Sequence, residues 1–346
     1  MNNKLTINNI SQDKTVNNMF GQIEKVIEEN KNKIIYQINN TLVNTYFMIG
    51  KIIVESEQNG NIRAEYGKEV LLKLSKRLTS KYGTGYSRSN LQNMRNFYLK
   101  YEICQPVASK LSWSHYCYLI YIEDDNERKF YENECINCRW SKRELKRQID
   151  SSLYQRLLLA KGDISKQRIY ELSTKGQMIN SPNDILKEPY VFEFLGLKEE
   201  KIILESDLEK SLIKHLSLFL MELGKGFMYV GNQIRITLDN NLHYFVDLVF
   251  YNKILKSYVL IDLKMDDMKP EYVGQMNMYI NYYNKEIKDE FDNETIGIIL
   301  CKGKKEVTME YALGGLSNRL FASTYTYYIP NKEELINEVE KVIKNY

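Results

Sequence analysis

Hydrophobic positions follow two different spacings in the two halves of this 346-residue chain. The second half contains short runs rich in β-branched and aromatic residues, which indicate strands. In the first half, from Asn18 to about Glu57, apolar residues recur at helical spacing and predict a long helix. These residues are Ile23, Val26, Ile27, Ile34, Ile38, Leu42, Phe47, Ile49, Ile52 and Ile53. We therefore expect a mostly helical N-terminal part followed by an α/β part.

A helix, a short turn and another helix are predicted next. The first helix covers Tyr66–Leu78, and the turn at Lys81–Tyr86 holds two glycines. Ser87 can cap the following helix, Arg88 to about Tyr101. In helix-turn-helix proteins with this layout, the second helix enters the major groove of DNA. The candidate base contacts are Arg88, Asn90, Gln92 and Arg95. A pair of antiparallel helices with the same side chains merely exposed fits the pattern equally well.

Basic residues are concentrated between positions 60 and 160. This stretch holds 18 Lys and Arg against 11 Asp and Glu, although the whole chain carries only +3. One short helix offers side chains suited to sequence-independent phosphate contact: Arg139, Lys142, Arg143, Lys146 and Arg147. The uneven charge favours a nucleic-acid-binding part joined to a mildly acidic part. Solvated helix faces are the alternative.

Composition and segment boundaries suggest a globular protein of two domains. The hydrophobic fraction is 43% and the charged fraction 27%, which is ordinary for such proteins. We expect a flexible tail at 1–16, a helical DNA-binding-like domain at 17–160, a linker at 161–189 and a second domain at 190–346. No apolar run approaches the roughly 18 residues of a membrane-spanning helix, and no secretory signal is present. We therefore expect a cytoplasmic protein without membrane contact.

The second half predicts elements in the order α-β-β-β-α-β. In sequence these are a helix at Glu205–Leu223, strands at Phe227–Leu238, Tyr244–Tyr251 and Tyr258–Lys264, a helix beginning at Pro270, strands at Thr295–Cys301 and Ser323–Ile329, and a closing helix at Glu333–Lys344. Proline is favoured at the first position of a helix, which supports the start at Pro270.

Charged residues interrupt two of these predicted strands. Asp247 lies in one, and Asp262 and Lys264 lie in the next. A buried, unpaired carboxylate is costly, whereas carboxylate oxygens are preferred ligands of Mg²⁺. We therefore expect a metal site that activates water against a phosphodiester. Glu205 and Glu209, one turn apart on the preceding helix, are the candidates for a third acid.

The pattern Asp-x14-Asp-x-Lys on consecutive predicted strands resembles the PD-(D/E)XK nuclease superfamily. The resemblance implies that Asp247 and Asp262 bind Mg²⁺, with Mn²⁺ as a substitute. It implies that Lys264 orients or deprotonates water. It also implies that Glu209, or less favourably Glu205, completes the metal shell.

One helix further on, Gln275 and Tyr279 face the same way because they are one turn apart. Several families of the superfamily place a Gln here that touches the metal site or DNA. The alternative is a polar helix face beside a buried tyrosine.

Longer stretches resemble the bacterial YhcG-type nuclease family. They are Pro189–Leu197, Phe219–Phe227, Asp247–Tyr251, Lys269–Tyr279 and Gly297–Lys302 in the second half, and Leu111–Tyr116 and Trp140–Leu145 in the first. The resemblance covers nearly the whole chain. It implies a helical, winged-helix-like domain that binds DNA, ahead of a restriction-endonuclease-like domain that cleaves it. Asp262 stands where these proteins usually carry Glu, so the metal must sit closer to that strand or be held through water.

The function expected from these features is metal-dependent hydrolysis of DNA, in mobile-element defence, repair or recombination. Cleavage of both strands of a duplex leads us to expect a homodimer. The alternative is a nucleic-acid-binding module whose nuclease fold is catalytically inactive.

Overall fold

The computed structural model describes residues 2–57, 64–101, 111–160, 164–196, 204–238, 242–303 and 319–344, with only the backbone for 2–15, 64–68 and 343–344. The chain divides into two compact units, Met1–Glu123 and Asp124–Tyr346. Helices make up the described part of the first unit, and the second contains a mixed sheet, so the predicted fold class is confirmed. The predicted turn at 59–61, the hairpin tip at 239–241 and Cys104 lie outside the described residues.

The described part of the first unit contains the helices α1 (Asn2–Ser56), α2 (Ala64–Tyr82), α3 (Arg88–Tyr101) and α4 (Trp113–Leu119). A 3₁₀ turn at Thr84–Tyr86 joins α2 and α3, as the predicted helix-turn-helix order requires. No strand occurs among the residues described in this unit, so the winged-helix assignment stays a prediction. Helix α1 includes the segment predicted as a flexible tail.

Close packing of α1 on α3 forms the core of the first unit. Leu91 and Met94 of α3 are fully buried against Tyr46 and the neighbouring turns of α1. Gly50 permits this approach, because a Cβ there would lie 2.1 Å from the carbonyl oxygen of Met94. The apolar residues of α1 from Val16 to Ile38 are exposed.

A six-stranded sheet of order β1-β6-β5-β4-β3-β2 forms the centre of the second unit. The strands are β1 (Tyr190–Val191), β2 (Phe227–Leu238), β3 (Leu242–Asn252), β4 (Ser257–Leu263), β5 (Ile296–Cys301) and β6 (Leu320–Thr326). Strands β2, β3 and β4 are antiparallel, whereas β4, β5, β6 and β1 run parallel. Helices α9 (Glu205–Lys214) and α10 (Leu216–Leu223) pack on one face, and α11 (Pro270–Tyr282) packs on the other.

The helix predicted over Glu205–Leu223 is in fact two helices, α9 and α10. They are separated at His215, whose backbone leaves the helical region with φ −110° and ψ 33°. Its ring Nδ1 lies 3.0 Å from the carbonyl oxygen of Ser211, so the side chain closes the end of α9. The prediction was wrong because the apolar spacing continues across the break and no Gly or Pro marks it.

The second unit also includes α5 (Asp125–Cys138), α6 (Lys142–Asp150), α7 (Leu153–Leu159), α8 (Lys166–Lys175) and α12 (Lys332–Lys344). Helix α8 lies in the segment predicted as a linker and packs on α5, where Asn133 Nδ2 donates to the Ser173 carbonyl at 2.8 Å. The predicted division of the chain at 161–189 stays a prediction. Within the described ranges, no helix is both long and apolar enough to cross a membrane.

A buried ionic network connects α6 and α7 to α10 and to the sheet of the second unit. Glu222 of α10 is fully buried and accepts from Arg156 Nη1 at 2.5 Å and from Arg147 Nη2 at 3.1 Å. The backbone N–H of Val191 donates to the same carboxylate at 3.0 Å. Lys187 Nζ donates to the Glu222 carbonyl. These contacts explain why α6 and α7 belong to the second unit.

Candidate active site

Asp247 and Asp262 lie where β3 and β4 stop pairing. The ladder between these strands runs from Asn252–Ser257 to Leu248–Ile261 and ends one residue before both acids. Beyond it, Asp247 Oδ2 accepts the Leu263 N–H at 2.8 Å, so a carboxylate takes the place of a ladder carbonyl. Both acids therefore lie at one opening, where β3 and β4 part while β3 still pairs with β2.

Lys264 lies two residues after Asp262, so the two side chains leave the chain on the same face. Its Nζ is 2.9 Å from Asp262 Oδ2 and 3.5 Å from Glu205 Oε2. The backbone is fixed on both sides, because Lys264 N donates to Leu300 O at 2.7 Å and Tyr325 OH donates to Lys264 O at 2.9 Å. The lysine is thus held beside the acid by the fold.

Gln233, which the sequence did not single out, links the two acidic groups of the site. Its Nε2 donates to Glu209 Oε2 at 2.7 Å and to Asp247 Oδ1 at 3.1 Å. Neighbouring pairs in the β2–β3 ladder place Gln233 opposite Asp247, but its φ of +48° is unusual for a non-glycine residue. Asn232 Nδ2 donates to the other oxygen of Glu209 at 2.9 Å. The irregular backbone of β2 therefore positions Glu209 and Asp247 together.

Burial and charge crowding perturb the titrating groups of this opening. Burial, with the neighbouring Asp262 carboxylate, raises the pKa of Asp247 to about 7. Burial also raises the pKa of Asp262, against the opposing effect of Lys264. Burial alone would lower the pKa of Lys264, but the Asp262 and Glu205 carboxylates outweigh it and raise that pKa. The lysine is therefore charged at neutral pH, whereas burial and mutual repulsion oppose a full negative charge on both aspartates.

The donor set fits a divalent cation. Asp262 Oδ2 is buried and accepts no aligned hydrogen bond, although Lys264 Nζ lies near it as an ion pair. A hard cation satisfies such oxygens and relieves the repulsion between two close carboxylates. In the described part of the chain, no three His, Cys, Asp or Glu side chains are already arranged as a metal cluster. Glu205 lies against Lys264, and Glu209 lies against Gln233, so either glutamate must reorient to join the aspartates.

Gln275 and Tyr279 contact one another beside the site. Gln275 Nε2 donates to the Tyr279 hydroxyl at 2.7 Å, and that hydroxyl donates to the Phe245 carbonyl at 3.1 Å. Burial raises the pKa of Tyr279 to about 12, with a smaller contribution from Asp262. The tyrosine therefore connects α11 to the backbone of β3 two residues before Asp247.

In the first unit, three of the four predicted base contacts have partners within the protein. Arg95 is paired with Glu57, with Nε 2.8 Å from Oε2. Asn90 Oδ1 accepts from Trp113 Nε1 at 2.8 Å. Gln92 Nε2 donates to Asn96 at 3.0 Å, whereas Arg88 is exposed at the start of α3.

The five basic residues predicted for phosphate contact lie on or beside α6. Arg139, Lys142, Arg143 and Lys146 are exposed, and Lys146 pairs with Asp150. Arg147 instead enters the buried network through Glu193 and Glu222. The four exposed side chains form one basic surface, whereas Arg147 is ion-paired with both Glu193 and Glu222.

Comparisons with known proteins agree with the geometry. Residues 183–340 match the YhcG PDDEXK nuclease domain, and residues 22–156 match the DUF1016 N-terminal domain. The chain is 34% identical to YhcG, a candidate nuclease of Escherichia coli (strain K12), over an alignment that covers 91% of each protein. A repair endonuclease from Pyrococcus abyssi is 17% identical over 36% of this chain and 48% of that chain, with a TM-score of 0.25, too low to support an argument. The chain belongs to the YhcG family of PDDEXK nucleases.

Proposed function

We propose that this protein hydrolyses phosphodiester bonds of DNA with the help of Mg²⁺, for which Mn²⁺ can substitute. The observation that carries the proposal is the group formed by Asp247, Asp262 and Lys264. The buried carboxylate of Asp262 and the half-buried carboxylate of Asp247 share one opening. One oxygen of Asp262 lacks an aligned hydrogen bond, and a lysine ammonium lies 2.9 Å from that oxygen. A structural ion pair needs only one acid for one lysine, so the second acid is the feature that favours catalysis.

Asp247 and Asp262 would hold the metal, and Glu209, or Glu205, would supply the third acid. A bound divalent ion lowers the pKa of water and neutralises charge developing on a phosphate. Lys264, beside Asp262, would orient or activate the attacking water. Gln275 and Tyr279 support the site from α11 by fixing the backbone of β3.

DNA would be held by the exposed basic side chains and by the first unit. Arg139, Lys142, Arg143 and Lys146 supply phosphate contacts, and Arg147 supports their helix. Arg88 at the start of α3 is the best candidate for a groove contact, with Gln92 beside it. Asn90 and Arg95 would contact DNA only by giving up their present partners. We further propose a homodimer in the bacterial cytoplasm, acting in mobile-element defence, repair or recombination.

A second function has one observation in its favour. Because the described residues contain no ready three-acid cluster, the fold is also compatible with a module that binds nucleic acid without cutting it. The two functions differ in one measurable outcome, since only the nuclease cleaves DNA when Mg²⁺ or Mn²⁺ is added.

The test is cleavage of plasmid, linear and branched DNA by wild type and by Asp247→Asn, Asp262→Asn and Lys264→Met. Asp292→Asn is the matched control, because Asp292 is a carboxylate of the same unit whose partner is Tyr251. We expect the three site variants to lose metal-dependent cleavage while keeping their fold, and the control to keep it. Wild-type activity in all three site variants would refute the proposal. Salt-sensitive DNA binding by wild type without cleavage under either ion would favour the second function.

A further inference from the structure

Helix α1 carries a stripe of large apolar side chains on its surface. We define the α1 stripe as Val16, Phe20, Ile23, Ile27, Ile34, Ile38, Met48 and Ile52. Each of these side chains is between 48% and 64% exposed. Isolated surface hydrophobics are ordinary, but a continuous row along one helix marks an interaction surface.

The α1 stripe lies on a different face of the helix from the side chains of α1 that pack in the core of the first unit. At 3.6 residues per turn, Val43 lies about 180° around the helix from Ile34, and Gly50 lies about 160° from it. Val43 is buried, and Gly50 is the point of closest approach to α3. The helix therefore has two apolar faces on opposite sides, and the described residues of one chain cover only one of them.

From Val16 to Ile34 the spacing of the stripe is that of a coiled-coil seam, with steps of four, three, four and seven residues. The stripe then continues through Ile38, Met48 and Ile52 with steps of four, ten and four residues, which keep these side chains on the same face of the helix. Asn30 lies at the position that divides the step of seven, and its Nδ2 now donates to the Val26 carbonyl of its own helix. A single Asn in an apolar seam is a known means of fixing register and the number of strands.

The charges on this part of the helix suit a second copy of the same helix. Residues 16–42 contain three Glu and three Lys, so two copies meet without net repulsion. From Val16 to Ile52 the stripe is about 54 Å long at 1.5 Å per residue. Eight side chains that each bury on the order of 100 Å² give roughly 800 Å² per copy, which is the size of a standard specific interface.

We propose that the α1 stripe is a coiled-coil surface that pairs with the α1 stripe of a second copy of this chain. An amphipathic helix gains most of its stability from burying its apolar face, and the described residues of one chain leave the apolar side chains of 16–42 exposed. The pairing gives a surface to the proposed homodimer, but it rests on α1 alone and does not depend on the nuclease assignment.

The test measures the mass of the full-length protein in solution by sedimentation velocity and light scattering, from sub-micromolar to tens of micromolar concentration, without DNA or metal. Ile34→Lys and the double variant Ile27→Lys/Ile34→Lys place a charge in the seam. Tyr36→Lys is the matched control, since Tyr36 is exposed on the same helix but lies about 160° from Ile34. Circular dichroism checks that all four proteins remain folded.

We expect a wild-type dimer, a control that dimerises like wild type, and a double variant whose association is at least about 100-fold weaker, because four buried isoleucines per dimer are replaced. A wild-type monomer over the whole range would overturn the proposal, whether or not the protein then binds lipid vesicles or another protein. Equal weakening by Tyr36→Lys and Ile34→Lys, or a double variant that dimerises normally, would overturn it as well. None of these outcomes bears on cleavage, so the two proposals fail separately.

Discussion

The buried carboxylate of Glu222 makes the sharpest prediction for stability. The side chain is fully buried among Arg156, Arg147 and Lys187. Burial alone would raise its pKa, but these three cations outweigh burial and lower the pKa to about 2 from its ordinary 4.5. A pKa lowered by that much corresponds to roughly 3 kcal/mol in favour of the charged form. Removing one partner of a buried pair costs about 3–5 kcal/mol in other proteins, which agrees.

Glu222→Gln is therefore expected to lower the free energy of unfolding of the second unit by about 3 kcal/mol at pH 7. The direction in which this stability difference changes with pH follows from the folded and unfolded pKa values of Glu222. Because the folded pKa lies below the unfolded one, the contribution of Glu222 is fully present above pH 4.5 and is lost as pH falls towards 2. The deficit of the variant should therefore shrink across that interval.

The assay is urea unfolding followed by tryptophan fluorescence in a Trp113→Phe background. The chain has two tryptophans, so this background leaves Trp140, which reports on the second unit. Glu338→Gln, at an exposed position of α12, is the control and should change the free energy of unfolding by less than about 0.5 kcal/mol. A Glu222→Gln deficit below about 1 kcal/mol at pH 7, or one that does not change between pH 7 and pH 2.5, would refute the reasoning.

Three further predictions concern the site and the basic surface. Gln233→Leu removes the hydrogen-bond donor shared by Glu209 and Asp247, so the cleavage rate should fall at least about tenfold while DNA affinity is unchanged. A cleavage time course measures the rate, and a gel-shift assay measures the affinity. Without metal, Asp247→Asn should raise the melting temperature at pH 8, because the folded pKa of Asp247 is about 7 and its charged form costs stability above that pH. The gain in melting temperature should vanish below pH 4. An equal gain at both pH values would contradict this cause. Alanine at Arg139, Lys142 and Arg143 together should lower the salt dependence of DNA binding by about two to three phosphate contacts, whereas Arg147→Ala should mainly destabilise the fold.

The strand acids could be anticipated because their geometry follows from local rules. The side-chain period of two puts Asp262 and Lys264 on one face, and strands joined by a short turn bring Asp247 beside them. The predicted strand β2, from Phe227 to Leu238, has the same bounds in the structure. These features depend on neighbours in the sequence and on the identity of a few residues.

Features that depend on distant partners or on unusual backbone could not be anticipated. Gln233 reaches the site because of a positive φ that Gln rarely adopts, and no sequence signal marks it. Arg95 pairs with Glu57, and Arg147 pairs with Glu222, 75 residues away, so basic residues that resemble DNA contacts in sequence include structural ones. Helical spacing on α1 predicted a helix but not that one of its apolar faces would stay exposed.

The most direct test of the account is the position of a metal in crystals of the protein soaked with Mn²⁺. We predict an anomalous difference peak roughly 2.1 Å from an oxygen of Asp247 and from an oxygen of Asp262, lost in Asp262→Asn. A protein that cleaves DNA with Mn²⁺ but shows its only peak away from these two aspartates would contradict the assignment of the site.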